Sequence, residues 1–178
     1  MSKILIIIDA QNDFITGSLG SKEAEKARDN ICNFIDEYAE SYDEIYLTRD
    51  THNEDYLSTN EGHHLPVIHC IENSKGWQID SKILFYLKDL KGYKYRYINK
   101  NTFGYLDWDK GVLDQTDEMT IDIMGFCTDI CIIANALILK TEFPEADIKV
   151  HHKHCAGTSI KNHEAALDIM ESCQIEVC

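Results

Sequence analysis

The residue types that can do chemistry cluster in a few short stretches of this chain. Cys131 lies in MGFCTDICI (124–132), just after an apolar run and at the opening of a helical pattern. The unpaired amides and dipole of a helix start favour an anion, so a thiol placed there ionises more readily. Cys127 lies near the same strand end and competes with it. A thiol pair four residues apart could exchange or bind metal, but this is not the CxxC spacing of redox proteins. For any single cysteine the plain alternative is a small core residue.

Asp9 directly follows the aliphatic run ending at Ile8, and Lys100 follows Tyr93 to Ile98 in the same manner. A charge at the end of a buried strand is costly unless it is paired or used. Beside a cysteine, the carboxylate could act as base and the ammonium could stabilise the thiolate. The alternative is a structural ion pair at the rim of a sheet. A third set is Asp50, His52 and His69, with Glu61 between them. An Asp-x-His turn aims two donors at one point, a distant histidine closes the site, and a carboxylate adds a ligand. Mixed nitrogen and oxygen donors suit zinc, with manganese or iron also possible. His63 and His64 are alternative ligands in the same loop. His151, His152 and His154 read as a strand end followed by a solvated loop, and Asp36 to Glu44 as a solvated helix end. Phe14, Trp77, Phe103 and Tyr105 could line a pocket for an aromatic ligand, although core packing is the default for such rings.

Several elements must position these groups. Lys3 to Ile8 reads as a strand buried on both faces. Glu23 to Tyr38 has helical apolar spacing, Glu44 to Leu47 reads as a strand, and Thr48 to Leu65 as a long polar loop. Trp77 to Leu90 is expected to be a helix and Tyr93 to Ile98 a strand. Met119 to Phe126 follows as a strand, Thr128 to Lys140 as a helix and Asp147 to His151 as a strand. Ser159 to Met170 closes with a helix, before a short strand at Gln174 to Val177. This alternation predicts a three-layer α/β/α fold with a mostly parallel sheet of about six strands, in one domain spanning 1–178. Ligands of such sheets gather beyond the carboxyl ends of the strands. The rule points to Asp9, Arg49 to His52, Asn99 to Lys100 and Cys127 to Cys131.

Composition removes other classes. With 44% hydrophobic and 27% charged residues, the chain resembles ordinary globular proteins. A formal net charge of −14 repels phosphate backbones and anionic lipid, so nucleic acid and membrane partners are not expected. Asp122, Asp129 and Asn135 interrupt the apolar stretch Ile121 to Leu139 and argue against a membrane span. The five apolar residues before Asp9 are too few for a signal-peptide core, and seven scattered cysteines fit reduced thiols in the cytoplasm. GxSxG, Walker and GxGxxG patterns are absent, which leaves serine hydrolase, P-loop and dinucleotide readings unsupported.

Taken together, IIIDAQNDF (6–14), TRDTH (48–52), LPVIHC (65–70), NKNTFGY (99–105), GFCTDICI (125–132) and CAGTSIKNHEAAL (155–167) resemble the isochorismatase-like cysteine hydrolases, and within them the nicotinamidases. The motifs occur in family order across nearly the whole chain. The resemblance implies a catalytic triad of Asp9, Lys100 and Cys131, with Cys131 rather than Cys127 as nucleophile. It also implies a cis peptide at Phe126–Cys127 and an oxyanion hole from the amides of Cys127 and Cys131. Asp50, His52 and His69 match the family's metal ligands, and Glu61 a fourth ligand found in some members. Relatives acting on carbamoyl groups or isochorismate generally lack this metal set, and isochorismatases proper lack the cysteine.

The implied activity is hydrolysis of nicotinamide or a similar small carboxamide, with a role in NAD salvage and a tendency to form homo-oligomers. Phe14, Leu65, Trp77 and Phe103 are the expected pocket residues. Many nicotinamidases carry an aromatic residue where this chain has Leu65, and the gap from Pro66 to His69 is one residue longer. The rival readings are a cysteine hydrolase acting on another amide or carbamoyl compound, and a binding protein on the same fold.

Overall fold

The computed structural model describes residues 2–88, 95–110, 112–113 and 118–178. β1 (Ser2–Ile8) forms the middle of a six-stranded sheet, because Ile4 to Ile8 are aliphatic on both faces and all nearly inaccessible. The other strands are β2 (Glu44–Asp50), β3 (Arg96–Lys100), β4 (Met119–Phe126), β5 (Asp147–Ala156) and β6 (Glu176–Val177). Their order is β3-β2-β1-β4-β5-β6, and every pairing is parallel. The chain leaves β1 toward β2 on one side and returns to β4 on the other. A switch in direction at that point opens a crevice at the carboxyl ends of β1 and β4, where ligands of such sheets bind.

The helices cover the sheet. α1 (Asn12–Ile15) is a single turn, and α2 (Lys22–Tyr38) begins where the Ser21 hydroxyl accepts from the Ala24 amide. Ala24, Ala27, Ile31 and Ile35 then bury one face of α2 over β4 and β5. Further along lie α3 (Asn60–His64), α4 (Ser81–Lys88), α5 (Ile133–Glu142) and α6 (Ile160–Ser172). α4 packs on α2, whereas α5 and α6 pack together against β5. No helix among the described residues is long and apolar enough to cross a membrane.

Several sequence expectations are corrected. β2 continues through Thr48, Arg49 and Asp50, because its pairing with β3 runs on to Asp50 opposite Lys100. The loop expected at Thr48 to Leu65 therefore starts later, and it contains a 3-10 turn (Tyr56–Ser58) and α3. β3 is displaced from the expected Tyr93–Ile98, so Lys100 is its last residue rather than the one after it; Tyr93 lies outside the described residues. The helix expected from Trp77 starts at Ser81, where Asp80 accepts from the Lys82 amide, and its expected end at Leu90 also lies outside the described residues. The helix expected from Thr128 opens with one turn of π-helix (Thr128–Ile132) before α5.

β5 runs well past His151. The partner of Ile123 is Val150, whereas that of Gly125 is Cys155, so an irregularity in β5 absorbs the intervening residues. His152 and His154 therefore belong to a strand and not to a solvated loop. Gly125 is required where β4 meets β1. Its φ is +126°, and a Cβ there would lie 2.0 Å from the Ile8 carbonyl oxygen.

Candidate active site

Three strand ends bring Asp9, Lys100 and Cys131 together. Asp9 directly follows β1 in a left-handed conformation with φ of 47°. Lys100 Nζ lies 2.5 Å from Asp9 Oδ2 and 3.5 Å from Cys131 Sγ, and all three residues are buried. The second Asp9 oxygen accepts from the Thr48 hydroxyl at 2.6 Å, while that hydroxyl accepts from the Asp9 amide. Burial pushes the Asp9 carboxyl up, against the pull of the Lys100 ammonium. Burial opposes the Lys100 charge, yet Asp9 and the Cys131 sulfur outweigh it and hold the amine protonated. Burial and the nearby Asp9 push the Cys131 thiol well up, with Lys100 pulling the other way. The resting proton therefore stays on sulfur, with the Asp9 carboxylate, paired to the same ammonium, as the base at hand.

The π-turn gives the nucleophile candidate its setting. The Phe126–Cys127 peptide is cis, and the Cys127 carbonyl accepts from the amides of Ile130 and Ile132. Asp129 anchors the turn by accepting from the amide and hydroxyl of Thr158. Thr128 Oγ1 is bonded to His163 Nδ1 at 2.8 Å. Cys127 lies alongside, its thiol raised to about 12 by burial and then by Asp129.

Beside this trio, Asp50, His52, Glu61 and His69 offer ligand atoms that all lie within 4.8 Å of one another. Asp50 Oδ2 is 2.9 Å from His52 Nε2 and 3.5 Å from His69 Nε2. Glu61 Oε1 is 3.6 Å from His52 Nε2 and 3.9 Å from His69 Nε2. His69 Nδ1 is bonded to the Val67 carbonyl, which leaves Nε2 to face the cluster. Two imidazoles and two carboxylates converging in this way fit a divalent cation, and a hydrogen bond on the far ring nitrogen fixes the ligand tautomer. Burial raises Asp50, but bonds from His52 and His69 outweigh it and hold this carboxyl below the usual range. Burial raises Glu61. His63 and His64 stay exposed outside this cluster, and His64 bonds instead to the Asn60 carbonyl.

The four expected pocket residues are placed unevenly. Phe14 is buried with its ring edge against His69, at 5.7 Å between centroids. Leu65 is half-buried, and its carbonyl accepts from the Tyr56 hydroxyl. The Trp77 indole donates to Thr51 Oγ1, and Arg49 stacks on it at 3.8 Å. Phe103 is 48% exposed on the loop after β3. Among the described residues, no ring contact joins Phe14, Trp77 and Phe103.

Four supporting residues escaped the sequence reading. Thr48 orients Asp9, as described above. Gln11 accepts from the Asp50 amide and donates to the carbonyls of Asp50 and Trp77, fixing the metal-facing strand end. Tyr56 packs against the rings of both His52 and His69. Asn135 is wholly buried; it donates to the carbonyls of Cys131 and Phe103 and accepts from the Tyr105 amide and the Trp108 indole. The helpful signal was a polar residue at a position the helical pattern makes apolar, such as Asn135 within Ile132 to Leu139.

A parallel α/β sheet with an acid, an amine and a thiol meeting at its switch point defines a class of α/β proteins equipped for nucleophilic chemistry. The profile of the Isochorismatase domain matches residues 3–178, and the chain belongs to that family. Among solved structures, it is similar to the nicotinamidase/pyrazinamidase of Bacillus subtilis, at 25% identity with 100% of both chains covered and a TM-score of 0.84. The pyrazinamidase/nicotinamidase of Streptococcus mutans is also 25% identical, with 99% of this chain and 100% of that one covered and a TM-score of 0.84. The Pyrococcus horikoshii pyrazinamidase, crystallised in complex with zinc, shares the fold at 23% identity and a TM-score of 0.79, covering 100% of this chain and 99% of its own. Comparison with curated protein sequences gives no match.

Proposed function

We propose that this chain, acting as a single domain, is a cysteine-dependent amidohydrolase that converts nicotinamide, or a closely similar small carboxamide, to the acid and ammonia. The carrying observation is the Lys100 ammonium within 3.5 Å of the Cys131 sulfur and 2.5 Å of the Asp9 carboxylate. The similarity to nicotinamidases from two bacteria supports the substrate class.

Asp9 takes the thiol proton as Cys131 attacks the amide carbon, and Lys100 offsets the negative charge of sulfur and carboxylate. Backbone amides of Cys127 and Cys131 receive the developing oxyanion, each contributing about 3 kcal/mol as such donors do elsewhere. Asp9 returns its proton to the departing ammonia, leaving a thioester on Cys131. Water then attacks the thioester carbon, releasing the acid and restoring the thiol.

Asp50, His52, Glu61 and His69 would hold the divalent ion, zinc first and manganese or iron next. When bound, that ion supplies a Lewis acid beside the reacting sulfur. Phe14 packs its ring edge against His69 of this centre, and Leu65 is proposed to supply an aliphatic wall. Trp77 and Phe103 are proposed to line its outer part.

Ammonia release from nicotinamide, pyrazinamide and a carbamoyl compound tests the reading. Turnover of the two ring carboxamides is expected. Turnover of the carbamoyl compound alone assigns the chain to another branch of cysteine hydrolases, and no turnover of any amide refutes the proposal.

A further inference from the structure

Away from this site, a second sulfur lies in line with an imidazole and a buried carboxylate. His151 Nε2 lies 2.5 Å from Asp122 Oδ1, and Cys178 Sγ lies 3.4 Å from His151 Nδ1. Asp122 is only 4% exposed in mid-sheet, close enough to the buried Tyr42 for its charge to help push the Tyr42 hydroxyl up, after burial. Since the carboxylate only accepts, it fixes the His151 proton on Nε2 and leaves the Nδ1 lone pair facing sulfur. Phe34 packs edge-on against His151 at 4.9 Å, and His154 does so at 5.6 Å, which hold the ring plane. The sulfur also lies 3.8 Å from the Val150 carbonyl, a longer contact than that to His151. Cys178 itself is exposed, and its backbone is pinned by its amide to Val150 and its carbonyl to His152.

We propose that Cys178, His151 and Asp122 form a second thiol site, at which Cys178 forms mixed disulfides with low-molecular-weight disulfides. The thiol proton passes to His151 Nδ1 while Asp122 stabilises the imidazolium. The Cys178 sulfur attacks one sulfur of the small disulfide and is oxidised; the old S–S bond breaks as the new one forms. The departing sulfur is reduced and takes its proton from His151 Nδ1. Partial burial of the sulfur within this exposed residue, with Glu176 and Asp122 nearby, raises the thiol, so the reaction depends on a positioned base rather than on a standing thiolate.

Cys173 is the internal control, being an exposed cysteine on the same molecule. With bis(hydroxyethyl) disulfide as probe and peptide mass mapping as readout, Cys178 is expected to react about 10²-fold faster than Cys173, the low end of what a positioned base contributes. His151→Gln should bring Cys178 down to the rate of Cys173, and Asp122→Asn, which keeps the shape and removes the charge, should slow it as well. Equal rates at the two cysteines of the unmodified protein overturn the proposal, whatever the variants do. A fast Cys178 left unchanged in a His151→Gln protein of unaltered thermal midpoint overturns it too.

Discussion

Cys131 and Cys178 each have a carboxylate close at hand, and they differ in what stands between sulfur and acid. Cys131 is enclosed and touches the ammonium that Asp9 also pairs with, so no imidazole intervenes. Cys178 is open to solvent and reaches Asp122 only through the His151 ring. An enclosed sulfur meets only what its pocket admits, and a buried charge pair can serve it without water competing. An exposed sulfur meets any small electrophile, so its selectivity must come from the base that faces it. The two sites also face different ends of the fold's logic: one is built at strand ends, the other on the middle of β4 and an irregular β5.

The largest effect should separate the two sulfurs outright. Cys131→Ala is expected to lower amide turnover roughly 10⁴-fold or more, the scale for loss of a nucleophile. Cys178→Ser should leave turnover unchanged, and steady-state ammonia release from both variants checks the pair. The acids come next. Asp9→Asn should cost about 10²–10⁴-fold in kcat, as loss of a positioned base does. It should also remove about 3–5 kcal/mol of stability, because Lys100 is left buried without its partner. Asp122→Asn should spare turnover, and denaturant titration alongside kinetics measures both.

Metal binding should distinguish the sites as well. His52→Ala should lose the bound divalent ion on dialysis while the protein folds, whereas His151→Gln should keep it. Elemental analysis of the purified proteins reads this directly. The smallest effect concerns His154, in the second region, whose pKa is lowered to about 4 by burial and then by His151, His152 and Lys153. The unfolded chain binds that proton near pH 6.5, so stability present above that pH is lost as pH falls toward 4. Thermal midpoints followed down this range should show the loss, and His154→Phe should flatten it.

The contrast also marks how far the sequence could be read. Aliphatic runs ending in charged residues located β1 and the crevice, since a buried strand tolerates such an ending only where the charge is paired. Spacing within TRDTH and the later His69 pointed to one metal-binding group, and the four side chains do converge. The exact limits of β2, β3 and β5 were not legible, because parallel pairing with a neighbour carries a strand beyond its apolar residues. Thr48, Gln11 and Asn135 were missed for a related reason: each bonds to chain far away in sequence, which no local pattern records. The Cys178 relay joins β4, β5 and the residue after β6, so only the sheet order reveals it.

The central claim is acyl transfer through the Cys131 sulfur, and capture of the acyl group tests it most directly. In the presence of hydroxylamine, metal-loaded protein given nicotinamide should yield the hydroxamate along with the acid, and Cys131→Ala protein should yield neither. Acid and ammonia appearing from the folded Cys131→Ala protein at the unmodified rate would contradict the account.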